Sequence, residues 1–226
     1  MSVGISEGDL REANENGIFS KMVLGIQHPS VFFNRHALKE VYLLSRRRHD
    51  IFGENDVAFF DLAEACVAHI DVKDLVQIPA KDTMEKGFLN TFNHITAQAF
   101  VTSFYSEEIA DFIADAHERH HMPALIHGNF TTEQLADKTL NPIDNYVDIV
   151  NNEWGQELGK RLKAKYQIHQ EKRLTPDLLA NYLNDVQHYY RWAFQINLSP
   201  FRADDEVIEK FARKYNRIKA ESDFNI

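Results

Sequence analysis

The sequence predicts an all-α fold, an irregular bundle of about seven to nine helices, and three observations carry that expectation. Apolar residues recur at three and four residue spacing along most of the chain, which places one buried stripe on each helix. No run of four or more residues rich in Val, Ile and Thr alternates with polar residues, so no strand is expected. Where the stripes begin, Ser106, Asn141-Pro142 and Thr175-Pro176 supply the capping acceptors and N1 prolines that open helices.

In chain order, residues 1–17 are polar, acidic and Gly-containing and are expected to form a flexible arm, and 18–226 to form a single helical domain. Phe19 to Ile26 is a short apolar piece that stops before His28-Pro29. A helix is expected over 31–47, and its basic end, Arg46-Arg47-Arg48-His49, reads as a solvated helix terminus. Asp56 is placed to cap a helix over 57–70, and 71–80 is a connection holding one turn at 73–76.

After Gly87 a helix is expected over 89–104, leading into a second from Ser106, which Pro123 ends near His121. Thr131 or Thr132 with Glu133 and Gln134 opens a short helix to about 138. From Pro142 to about 166 a long helix carries Ile143, Val147, Val150, Trp154, Leu158 and Leu162 as an apolar stripe. Asp144, Asp148, Asn151 and Asn152 form a second, polar stripe, and Gly155 and Gly159 let another backbone come close. Helices over 176–194 and 204–220 complete the bundle.

The formal charge of −9 excludes nucleic acid as the main partner, because binding phosphate needs clustered Lys and Arg. Cys66 is alone, so no internal disulfide is expected, and it reads as a small apolar helix residue. No basic-then-apolar leader and no eighteen-residue apolar stretch stand in the sequence, which predicts a soluble chain made in the cytoplasm with no membrane span. Export by a route that reads no cleavable signal is compatible with this reading.

Candidate chemistry concentrates between Ser106 and His127. His117-Glu118-Arg119-His120-His121 is an H-E-x-x-H pattern, in which two histidines four apart share a helical face and Glu118 can accept a proton from water. His127 follows ten residues after His117, where the metzincin peptidases place a third ligand, although Ala124 replaces their glycine and no methionine follows His127. Asp115-x-His117-x-x-x-His121 is similar to a segment of the helical zinc-dependent phospholipase C and S1-type nucleases. There the aspartate and the last histidine bind zinc, but the later element here, Asp148-x-x-x-Asn152, ends in asparagine.

A broader pattern spans about residues 88–160. Asn90-x-x-x-His94, Ala116-His117-Glu118 and Asp148-x-x-Asn151-Asn152-x-x-Gly155 occur in the order found in an uncharacterised bacterial all-helical domain, which this region resembles. Some members of that family lie at the ends of secreted or toxin-like chains. The resemblance implies that His94, His117, Glu118, Asp148, Asn151 and Asn152 converge on one pocket between three helices, and it carries no established activity.

Together these observations lead to the expectation of a metal-dependent hydrolase, associated through the resemblance with bacterial toxins or effectors. His94, His117, His121, His127 and Asp148 are the candidate ligands of Zn²⁺ or another divalent ion, and Glu118, Asn151 and Asn152 are the candidate catalytic residues. The substrate class is open among a small molecule, a lipid and a cell-envelope component. Metal-free acid–base chemistry on His94 or His117, and a non-enzymatic interaction module whose polar stripe only fixes helix register, are the competing expectations.

Overall fold

The computed structural model describes residues 33–75, 87–121, 129–136, 142–169 and 172–221, with Glu12, Glu15, Asn16 and Val31 besides. The side chains of 119–121 and 142–145 are outside this description, as are the expected arm at 1–17 apart from the three residues named, the apolar piece at 19–26, and His127. Among the described residues there are ten helices: α1 Arg35–Ser45, α2 His49–Phe52, α3 Phe59–Ala68, α4 Val72–Leu75, α5 Phe88–Phe104, α6 Glu107–His121, α7 Thr132–Ala136, α8 Pro142–Lys165, α9 Pro176–Phe194 and α10 Glu206–Ala220. The only β pairing described is an isolated antiparallel bridge between Ile70 and Leu198. None of these helices is long and apolar enough to cross a membrane.

The count exceeds the expected seven to nine because α2 is a single turn, too short to show a periodic stripe. Several helix ends follow the expected chemistry. Ser106 Oγ accepts the Ile109 N–H at 3.2 Å, and Thr175 Oγ1 accepts the Leu178 N–H at 3.1 Å with Pro176 at the first helical position. Thr131 and Gln134 exchange reciprocal bonds of 2.9 and 3.2 Å, a capping box at the start of α7.

Asp56 departs from its expected role as a cap. It lies buried beside Lys214, whose Nζ donates to Asp56 Oδ2 at 2.8 Å, to the Val57 carbonyl at 2.7 Å and to the Arg46 carbonyl at 2.9 Å. Burial draws the Lys214 ammonium below its usual value while Asp56 opposes that shift. The start of α3 is served instead by Asp61 Oδ2, which accepts the Ala58 N–H at 2.7 Å.

The bundle is organised around α5, which packs against α3, α6 and α8. From Ile95 to Phe104 every α5 residue except Ala97 is buried, the pattern of a helix enclosed on all sides. One side of α5 meets an aromatic core. Phe92 stacks on Tyr190 with ring centroids 4.0 Å apart, Phe100 on Phe104 at 4.2 Å, and Tyr182, Phe211 and Tyr215 close around Phe100 at 5.4–6.2 Å. Cys66 is buried within this core, where desolvation pushes its thiol up to about 12.

The opposite side of α5 meets α8, and here the expected burial pattern is corrected. Of the apolar stripe, Leu162 is buried, but Val147 is 44% and Trp154 46% exposed, while Asn151, Asn152 and Gln156 are buried. The polar and glycine stripe of α8 is its inward face. A Cβ at Gly155 would stand 2.8 Å from the Ile95 carbonyl oxygen, and one at Gly159 2.5 Å from that of Ala99, so only glycine permits this approach. Trp154 lies outside, against Tyr189 at 5.5 Å.

Candidate metal centre

Three hydrogen bonds between α5 and α8 share one offset in sequence. Asn90 pairs with Asp148, His94 with Asn152 and Gln98 with Gln156, each pair 58 residues apart. Partner numbers rise together, so the two helices run parallel. Their i, i+4 polar positions meet rung by rung, and the glycines set the spacing at the later rungs.

The first two rungs shape the candidate site. Asn90 Nδ2 donates to Asp148 Oδ1 at 2.7 Å and fixes that carboxylate. His94 Nδ1 lies 2.8 Å from Asn152 Oδ1, which can only accept, so Nδ1 carries the proton and donates. His94 Nε2 then faces Asp148 Oδ1 at 3.5 Å. Carbonyl support of one ring nitrogen, with the other turned toward carboxylates, is the arrangement that orients a metal-ligating imidazole.

The third member comes from α6. The potential ligand atoms of His94, Glu118 and Asp148 all lie within 4.8 Å of one another. Glu118 is buried and the other two are part-buried. Two carboxylates this close in a poorly hydrated place repel each other, and a cation held between them and His94 would offset that repulsion. One nitrogen and two carboxylate oxygens suit borderline divalent ions such as Zn²⁺ or Mn²⁺, and three protein ligands leave further positions open. The residues therefore fit such an ion.

Of the expected site residues, His94, Glu118, Asp148 and Asn152 are thus brought together. His117 lies beside them but is exposed, its ring 6.3 Å from that of His94, and it is not one of the three grouped ligands. Asn151 is buried one position away, its Nδ2 3.5 Å from Thr91 Oγ1, a long contact. The His121 side chain and the whole of His127 lie outside the described residues. Glu118, expected only as a base, also stands at ligand distance.

Two contributions were not assigned from sequence: Asn90 as the orienter of Asp148, and α1 as a wall of the site. The equal spacing of Asn90/His94/Gln98 and Asp148/Asn152/Gln156 is the signal for the first. For α1, Leu38, Val41, Tyr42 and Ser45 fall on one helical face and, with Arg46 just past the helix end, border a cavity of about 400 Å³ that His94, His117 and Asn152 also line.

No protein-family model, no curated protein and no solved structure matches this chain.

Proposed function

We propose that this chain is a metal-dependent hydrolase centred on His94, Glu118 and Asp148, and that it serves as a toxin or effector, the setting its resemblance to toxin-associated bacterial domains suggests. The observation that carries the reading is the convergence of one imidazole and two carboxylates from three different helices beside a cavity. A divalent ion bound there, Zn²⁺ or a similar metal, would supply Lewis acidity and lower the pKa of a water. Asn152 holds the His94 ring in the required tautomer, and Asn90 holds Asp148. Glu118 would help His94 and Asp148 hold the ion and would accept a proton from the attacking water. Asn152 borders the cavity and is the candidate donor to a substrate oxygen as negative charge develops on it.

The test is turnover of ester and phosphodiester substrates with Zn²⁺ or Mn²⁺ supplied. Activity should vanish on chelation, return with metal, and be absent in Glu118→Gln, which keeps the fold. Turnover unchanged in Glu118→Gln would remove that residue from the chemistry.

One observation favours a second reading. The Asn90–Asp148, His94–Asn152 and Gln98–Gln156 bonds already join two helices in register. On that account the chain is a non-enzymatic interaction module, its polar cluster only joins the helices, and neither metal binding nor turnover is expected.

A further inference from the structure

The cavity beside His94 is divided in character. Its body is formed by Leu38 and Val41 of α1, Phe59 and Phe60 of α3, and Phe112 and Ile113 of α6. Asn93, His94 and Gln98 of α5, His117 of α6 and Asn152 of α8 contribute polar groups. Arg46 stacks over the Tyr42 ring at 5.0 Å, and both residues are exposed, which marks the α1 side as the solvent-facing rim.

A volume of about 400 Å³ lies within the range of small-molecule sites, and a lining whose exposed area is mostly apolar suits an apolar chain with one polar end better than a sugar with hydroxyls on every side. It fits a chain of methylene groups, each of which gains by leaving water. Because His94 belongs both to the cavity and to the ligand group, a chain lying in the cavity brings its terminal carbonyl toward the proposed metal centre.

Building on the hydrolase reading, we infer that the substrate is a carboxylic ester of a medium-length fatty acid, with the acyl chain held in this cavity. In the reaction the oxygen of a water bonds to the acyl carbon and the acyl C–O bond breaks. One water proton leaves on the alcohol, and the acid passes its own proton to solvent.

Binding and turnover are measured separately. Calorimetric titration of sodium laurate into chelator-treated protein reads the cavity without any metal. Ala97→Trp places an indole in the cavity from α5 and Leu38→Trp does so from α1, and circular dichroism confirms the fold of each. Laurate should bind the parent, acetate should not, and laurate affinity should fall about tenfold or more in whichever variants fold. With Zn²⁺ or Mn²⁺ present, the parent should hydrolyse 4-nitrophenyl laurate in preference to the acetate, and the folded variants should lose that preference.

No laurate binding by the parent, or binding unchanged in every folded variant, overturns the acyl site whatever the metal does. Turnover that favours acetate overturns the substrate class and leaves the hydrolase reading standing. Laurate binding with no turnover under any metal overturns the hydrolase reading and leaves an acyl-binding cavity.

Discussion

The two sides of α5 are built on different principles. Toward α9 and α10 it presents Phe92, Phe100 and Phe104 to a stack of aromatic rings, where stability comes from area removed from water and depends little on direction. Toward α8 it presents Asn90, His94 and Gln98, each matched to one partner on a parallel helix that glycines hold at close range. Such an interface tolerates no slip in register, because an unmatched buried polar group costs about 1–3 kcal/mol. The aromatic side holds the bundle together, and the polar side places a histidine and an aspartate where Glu118 of α6 can join them.

The comparison is broken most severely on the aromatic side. Phe100→Ala should cost about 3–5 kcal/mol in urea unfolding, since the ring is fully buried among five others. Metal affinity in whatever folded protein remains should be close to that of the parent. On the polar side Gly159→Ala drives a methyl group against the Ala99 carbonyl, and overpacking of this kind costs about 1–3 kcal/mol. This variant should also weaken metal binding, because the helices that carry His94 and Asp148 must separate.

A narrower change separates register from chemistry. Asn152→Ala removes the acceptor that fixes His94 and should lower metal affinity by about 10–100-fold, read by competition with a chromophoric chelator. Retention of full affinity would mean that the His94 ring needs no such support.

Much of this was legible in sequence. The start of α6 was set by Ser106 and that of α9 by Thr175-Pro176, because caps and prolines act locally, while Pro123, expected to end α6, lies outside the described residues. The approach of another backbone at Gly155 and Gly159 was legible for the same reason. The orientation of α8 was not. Its apolar stripe through Val147 and Trp154 has the spacing of a core face, yet the buried face is the polar one, because its partners lie on α5, 58 residues earlier. Periodicity reports which residues share a face and cannot name what that face meets. Likewise the local H-E-x-x-H pattern pointed to ligands within one helix, whereas the described ligand group draws one residue from each of three helices.

Smaller effects sharpen the contrast. His69 packs on the Phe201 ring at 4.4 Å, and its Nδ1 faces the Gln187 amide at 3.3 Å, while burial lowers its pKa from the ordinary value. The unfolded chain therefore takes up that proton more readily, and stability should fall as pH drops through about 6.5 toward the lower folded value, with no change from this group above it. His69→Phe should flatten that part of the profile in urea melts at a series of pH values. Least affected should be Trp154→Ala, because the indole is 46% exposed on the outer face of α8. Its cost should stay at or below about 1 kcal/mol, well short of the 3–5 kcal/mol typical of a buried indole.

The most direct measurement is elemental analysis of the purified, untagged protein beside Asp148→Asn, after incubation with Zn²⁺ or Mn²⁺ and removal of free ion. Asp148→Asn keeps the shape of the side chain but removes one of the two carboxylates. The account predicts about one ion per chain in the parent and none in the variant, with both equally folded. No ion in either protein, or equal amounts in both, would contradict it and leave the paired helices of α5 and α8 as a structural device.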